Sequence, residues 1–365
     1  MAEQPYELWE TNRFLGVFRA VEADPLYWAN WFPNEIRSTD EYIDFEKMPI
    51  QNRKLAPFVM PLGRGASVFD DTSTHMRFKP AYVKVEDRVD PLMPLTRRVG
   101  IDSTASQWPA QLSPMQRLDL IKAAMVASHV NAVRRTWNYM AAVALRDGQI
   151  TLSGKDYPTT LVDFRRDSNH TITLATGDRL GASGVSSVDF FQSIVDLMTT
   201  TEFGAVPTRA TMGGKVWNVL RKDEEFLEHM DTRYRGGNIT IERGLVPGAG
   251  EKTYKVGEMT IGGSSGQMIE LWVDNSTFVH PETGVETRYI GAHQILFTGS
   301  ADAVNGFQAF GRIIDRDAGY EALPIFPKNW ELKGDVSVEY ITHKSAPLMV
   351  PMNPNATCLV NAVAP

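Results

Sequence analysis

One uninterrupted helical pattern, running between Ser113 and Gly148, constrains the fold more than any other feature. Ser113 is a favourable N-cap, Pro114 suits the first helical position because its missing N–H has no partner there anyway, and Gly148 stands where the chain must leave the helix. Val126, Val130, Val133, Trp137, Met140 and Ala144 recur at steps of four and three, with Leu118, Ile121, Met125, Ala132, Tyr139 and Val143 as a second stripe beside them. At ~1.5 Å per residue this helix is on the order of 50 Å long. A compact chain of 365 residues has a radius of gyration near ~21 Å, so the helix must cross the molecule as a spine. Its seam lasts only about three heptads, too short to favour a coiled-coil dimer.

The hundred residues before the spine read differently. Pro5, Pro25, Pro33, Pro49, Pro57, Pro61, Pro80, Pro91 and Pro94 interrupt any long helix, while Trp28, Trp31, Phe32 and Phe58 punctuate the segment. An extended arm that lies against something is implied, because aromatics left in water form exposed patches. After the spine, Ile150–Leu152 and Thr160–Phe164 predict a hairpin and Thr171–Ala175 an extended piece; Val188, Phe191, Ile194, Val195 and Met198 mark a helix from Ser187. Lys215–Met230 predicts another helix. The Gly-rich stretch 244–266 reads as a mobile loop, followed by strands at Met268–Val273, Glu286–Ile290, Gln294–Phe297, Phe307–Ile314 and Val336–Ile341. The second half is therefore a mixed α/β region.

Composition narrows the function. With 8 Trp, 17 Phe and 11 Tyr the chain carries too much apolar surface for global disorder. Its 37 Lys plus Arg against 44 Asp plus Glu give −7, which excludes a global basic field for a free-standing nucleic-acid binder. Cys358 is the single cysteine, consistent with folding in a reducing cytosol. Met1–Thr11 lacks the basic and apolar regions of a secretory signal, and no run approaches the ~18 apolar residues of a membrane span. A soluble protein that stays in the compartment of its synthesis is expected.

Candidate chemistry is thin. Gly262-Gly263-Ser264-Ser265-Gly266 has the spacing of a nucleophile elbow, but the elbow needs a helix directly after the serine and Gln267–Val273 alternates like a strand. Gly248-Ala249-Gly250-Glu251-Lys252-Thr253 lacks the first glycine of a phosphate loop and places Glu251 before the lysine. Gly177, Gly181 and Gly184 do not form a dinucleotide fingerprint. His75, His129, His170, His229, His280, His293 and His343 show no i, i+4 metal spacing. No catalytic residues, cofactor or metal are assigned, and the pairs Arg97-Arg98, Arg134-Arg135 and Arg165-Arg166 read as salt-bridged surface.

Three collinear strings carry a resemblance. Phe326-Pro327-Lys328-Asn329-Trp330, Gly334-Asp335 and Ser345-Ala346-Pro347-Leu348-Met349 resemble the closing segment of the lambda-type phage major capsid proteins, the capsid protein E family. Phe78-Lys79-Pro80-Ala81-Tyr82-Val83-Lys84 with Val89-Asp90-Pro91 resembles the family's extended loop, and Asp231-Thr232-Arg233 with Gly236 the end of a helix in its axial domain. The strand pair Met268–Val273 and Glu286–Ile290, turning at Gly284, falls where the family has one. The likeness covers roughly residues 5–352, with Pro351–Pro365 as an added contact or loose tail.

This resemblance implies an α+β Hong Kong 97-type (HK97-like) fold. Its expected parts are an N-terminal arm (1–55), an extended two-stranded loop (56–105), a peripheral domain (106–180) with the spine at 114–147, an axial domain (181–325), a return to the peripheral domain (326–350) and a C-terminal tail (351–365). The implied function is a major capsid protein of a tailed double-stranded DNA phage, without enzymatic activity. Such a chain self-assembles into pentamers and hexamers of an icosahedral head that enclose the genome, and matures from a procapsid in the host cytoplasm. Scaffolding, portal and decoration proteins are its implied partners. Subunit contacts are expected from Trp28, Trp31 and Phe32 on the arm and Phe78, Tyr82 and Lys84 on the loop, against the alternative that both pack within their own chain. The competing readings are a serine hydrolase using Ser264 and another phage structural protein such as a tail tube.

Overall fold

The computed structural model describes residues 26–47, 74–93, 114–154, 157–230, 252–261, 267–281, 283–333 and 337–364. A 3-10 turn at Trp28–Trp31 opens them, followed by strands β1 (Asn34–Arg37), β2 (Ile43–Lys47), β3 (Thr74–Phe78) and β4 (Val83–Val89). The spine helix α1 (Pro114–Asp147) leads into the hairpin β5 (Gln149–Gly154) and β6 (Tyr157–Asp163), then β7 (Thr171–Thr173). Next come α2 (Ser187–Thr200), β8 (Arg209–Met212), α3 (Gly214–Leu220), α4 (Glu224–His229), β9 (Thr253–Ile261) and β10 (Gln267–Asp274). The remainder is β11 (Thr277–Val279), β12 (Glu286–Arg288), β13 (Gln294–Thr298), a short α5 (Ala301–Val304) and β14 (Gly306–Phe310), then β15 (Phe326–Leu332), β16 (Val338–Ser345), β17 (Pro347–Pro351) and β18 (Thr357–Asn361).

Helix α1 starts at the proline and stops where Gly148 takes φ +67° and its N–H returns to the Ala144 carbonyl at 3.1 Å. A Cβ at Gly148 would sit 2.7 Å from Arg166 Cβ, so glycine is required for space as well as for conformation. The first predicted stripe is buried, the second is half-buried at Met125, Ala132 and Tyr139, and Ala141 through Leu145 are buried on every side, so the C-terminal end of the spine is encased. Among the described residues no helix is long and apolar enough to cross a membrane.

Three sheets pack against the spine, one of them the three-stranded β1-β14-β17, whose strand β17 lies along it. A three-stranded sheet, β15-β16-β4, is antiparallel, and α1 packs along it. A mixed six-stranded sheet has the order β7-β18-β13-β8-β10-β9. Alternation along its strands feeds two cores: Leu296, Leu359 and Trp272 face the spine side, while Ile295, Phe297, Cys358, Val360 and Leu271 face α2, α3 and α4. Burial on both faces explains why these strands read as nearly continuous apolar runs.

Several expectations change. Residues 357–361 are not a loose tail: β18 lies inside the sheet between β7 and β13, with Cys358 and Val360 fully buried. Within 244–266 the described part is an ordered strand, since β9 pairs with β10 along its length. The strand at Met268–Val273 does not pair with Glu286–Ile290; β10 pairs with β8 and β9, and the turn at Gly284 joins β11 to β12. Lys215–Met230 holds two helices, because Asp223 caps a new one by accepting from the Phe226 amide. Among the described residues β3 pairs with β2, and β4 edges another sheet, turning Val85 and Val89 toward α1. Strand β14 ends at Phe310, short of Ile314. Ser264, the string Gly248–Glu251 and the string Asp231–Gly236 lie outside the described residues.

Candidate assembly interface

The surfaces a chain presents are only as fixed as the junctions inside it. The arm supplies one. Trp28 and Trp31 are stacked at 6.0 Å between centroids, Tyr27 meets both edge-on at 5.0 and 5.5 Å, and Trp272 of β10 lies 5.6 Å from Tyr27. The Arg209 guanidinium sits 4.9 Å over Trp31 and 4.8 Å over Trp272 while pairing with Glu270 at 3.0 Å. Trp28 Nε1 donates to the Asp274 carboxylate at 3.1 Å, and Thr253 Oγ1 donates to the same group at 2.8 Å. Burial raises the Asp274 carboxyl above its ordinary value, against the hydrogen bonds from Ser276, Thr253 and Trp28.

The sequence-predicted contact residues are therefore placed as follows. Trp28, Trp31 and Phe32 are buried in their own chain; Phe32 packs where Gly306 leaves room, and its carbonyl accepts from Gln308 Nε2 at 2.8 Å. Phe78 is buried between Phe45 and Phe164, at 6.0 and 5.5 Å, and roots the β2/β3 ribbon. These four side chains are buried within their own chain. Tyr82 is half-buried against the small core of Ile313, Phe326 and Ala346. Lys84 stays exposed on β4, paired with Glu86 at 2.7 Å.

A second junction, which sequence reasoning missed, fixes α1 on β16. Lys122 Nζ meets Glu339 Oε2 at 2.5 Å with side chains only 1% and 3% exposed. Two turns further on, His129 Nδ1 lies 3.0 Å from His343 Nδ1, while His129 Nε2 reaches Asp87 of β4 at 2.8 Å. Burial, with the His129 ring beside it, pushes His343 down to about 3. The signal was present: Lys122 stands at step four between Leu118 and Val126, on the apolar stripe, where a charge needs a buried partner.

A third cluster ties the β14–β15 connection to the sheet. Asp315 accepts from Lys344 at 2.5 Å and from Lys328 at 2.9 Å. Burial alone would raise its carboxyl, but the two ammonium groups overcome this and hold it well below the usual carboxylate range. On the outer face of the same sheet Trp330 stacks on Tyr340, centroids 4.3 Å apart and planes 8° from parallel. Lys328 and Trp330 belong to the string that resembled the capsid proteins' closing segment.

Known proteins resemble the chain along nearly its whole length. The family described as phage major capsid protein E matches residues 16–362, which extends the likeness through β18 and beyond the expected limit at 352. The major capsid protein of Escherichia phage N15 is 27% identical over 344 residues, covering 91% of this chain and 92% of its own. That of Escherichia phage lambda is 26% identical over 338 residues, with 91% and 92% covered, and that of Enterobacteria phage P21 is 25% identical over 358 residues, with 97% and 98% covered. In structure, the chain superposes on a protein assigned as a prophage capsid protein of E. coli CFT073 with TM-score 0.71 at 21% identity, over 98% of this chain and 99% of that one. That superposition establishes the α+β HK97-like fold. Spine, ribbon and the sheets packed on the spine, β18 included, all lie within the matched residues, and the chain belongs to the phage major capsid protein E family.

Proposed function

We propose that many copies of this chain form the icosahedral head of a tailed double-stranded DNA phage, arranged as pentamers and hexamers around the genome. One observation carries the reading: the family match runs through arm, spine and the sheets packed on it, from 16 to 362, rather than over one module. The six-stranded sheet with α2–α4 takes the role of axial domain, α1 with β15-β16-β4 that of peripheral domain, and β2/β3 that of the extended loop. With the arm's aromatics filled inside the subunit, contacts between copies fall to exposed residues such as Lys84 and to half-buried Tyr82. Scaffolding, portal and decoration proteins are its partners, DNA is held by enclosure, and assembly takes place in the host cytoplasm. A net charge of −7 suits a wall along which packaged DNA must slide.

The hydrolase reading has no support: Ser264 precedes β10, a strand, where an elbow needs a helix. Electron microscopy of the recombinant chain, alone and with its cognate scaffold, tests the capsid reading. Rings or closed shells are expected; a monomer under every condition refutes it, and stacked tubes would indicate a tail protein.

A further inference from the structure

One cleft is cationic although the chain as a whole is acidic. It has a volume of about 1010 Å³ and is lined by Lys215, Trp217 and Arg221 of α3 and its C-terminal end, Tyr254 at the start of β9, and Asn275 and Arg288. Trp217 and Tyr254 are half-buried and packed on the core beneath α2–α4, which gives the cleft a fixed aromatic floor. A further lining residue, Lys255, is already neutralised by Glu258 at 2.5 Å and Glu270 at 2.9 Å. The other three cations are not: Arg288 bonds only the neutral Asn275 side chain, at 3.2 Å, and among the described residues no carboxylate pairs with Lys215, Arg221 or Arg288. Sites of this size take ligands of several side chains' volume, ~300–1,000 Å³.

The complement lies on the same chain. Helix α4 is pinned: Asp223 accepts from the Phe226 amide and from the Ser187 hydroxyl, and Phe226 is fully buried. Glu224 follows Arg221 by three positions, and on this clamped helix the two are not paired among the described residues. Its outer face, at steps of three and four, is Glu224, Leu227 and Glu228, all exposed, with Leu227 at 39%. Among the described residues neither glutamate pairs with a lysine or arginine. An apolar centre between carboxylates thus mirrors an aromatic floor between cations.

We propose that the cleft of one copy receives the α4 face of a second copy. Leu227 seats on Trp217 and Tyr254, while Glu224 and Glu228 meet Arg221, Lys215 and Arg288. The contact joins two different surfaces, so it repeats head to tail and closes into a ring. It rests on the shell reading above and names a contact that holds its rings together. Nucleic acid is the competing occupant, since phosphates suit the same cations and bases the same rings. The unpaired carboxylates on this chain's own surface favour the protein partner.

A charge swap tests it. Glu224→Lys with Glu228→Lys, and separately Lys215→Glu with Arg221→Glu, are expected to abolish rings and shells in electron microscopy and sedimentation with the cognate scaffold. All four changes together are expected to restore rings and shells, and the two half-swapped chains mixed are expected to restore six-membered rings, in which they can alternate, but not five-membered ones; a folding defect would allow neither. Either half-swap assembling like the unmodified chain at low salt overturns the proposal. So does binding of single-stranded or duplex DNA that disappears in Lys215→Glu/Arg221→Glu while shells still form. If the unmodified chain forms neither rings nor shells, the capsid reading fails, and this contact with it.

Discussion

Replacing Lys122 by methionine removes one half of a buried ion pair and leaves the other in place. The pair is 2.5 Å long, and both side chains are almost fully withdrawn from water. In Lys122→Met the Glu339 carboxylate stays buried, with the Asn329 amide at 3.3 Å among its hydrogen-bond donors. Breaking such a pair from one side costs ~3–5 kcal/mol, a large share of the ~5–15 kcal/mol that holds a folded domain. Glu339→Leu alone strands the ammonium and costs a similar amount. Lys122→Met with Glu339→Leu removes both charges, and is expected within ~1 kcal/mol of the parent, because the desolvation cost disappears with the attraction. The coupling energy then exceeds the ~0.5–3 kcal/mol usual for neighbouring residues. Urea titration of the unassembled subunit, followed by tryptophan fluorescence, measures all four chains, with the slope held constant to confirm comparable unfolding. If Lys122→Met lies within ~1 kcal/mol of the parent, or the two single costs simply add in the double variant, the pair does not lock α1 to β16.

Three further outcomes follow from other junctions. His343 is neutral in the fold because its value falls from 6.5 to about 3, so the unfolded chain binds the extra proton between those values and stability drops as pH falls; from pH 7 to pH 5 the loss is about 2 kcal/mol at 1.36 kcal/mol per unit, and His343→Gln, compared in the same urea titration, should lack it. In Gly306→Ala the new Cβ would stand 2.2 Å from the Trp31 carbonyl oxygen and 2.7 Å from Phe32; a cost of ~1–3 kcal/mol and faster proteolysis next to the aromatic turn are expected, and an unchanged melt would mean the arm yields freely. Burial pushes the Cys358 thiol up to about 12, so iodoacetamide at pH 8 should label it only after denaturant is added, and rapid labelling of the native chain would show that β18 opens.

Legibility differed by the range over which the physics acts. The spine was readable because caps and periodicity are local: Pro114, the stripes and Gly148 each act within a few residues. Strand β18 was not, because Cys358, Leu359 and Val360 become a sheet interior only when β7 and β13, distant in sequence, lie on either side. Strand β9 was hidden by its glycine-rich surroundings, although Tyr254, Val256 and Met259 pack in the core. The arm was legible as extended and aromatic, but composition could not say whose surface it covers. Asp274, Asn138 and Gly299, which receive its Trp28 and Trp31 hydrogen bonds, carry no local mark of that role. His129 and His343 looked scattered because their meeting depends on how a helix lies on a strand.

That placement of helix on strand has a consequence for how the subunit works as a building block. From Lys122 to His129 is seven helical residues, ~10.5 Å of rise; from Glu339 to His343 is four strand residues, ~13 Å. The two steps nearly match, so both polar contacts can form only in one register, and a one-turn slide of α1 would break them together. On the other side of the spine, the arm binds Asn138 through the Trp28 amide at 2.9 Å and Asp274 through the Trp28 indole. A residue from before the spine therefore couples the spine to the six-stranded sheet, whose interior strand β18 comes from after it. The sheet lacks an interior strand until 357–361 is in place, and its spine-side face is uncovered until 27–32 docks. Contacts of such long sequence separation form late and slowly, so partly folded chains expose β13 and Trp272 to one another. Under the proposed capsid role, where many copies fold side by side, productive assembly then depends on subunit folding outrunning chain encounter, and conditions that loosen the His129–His343 junction should divert chains to aggregates before they affect finished shells.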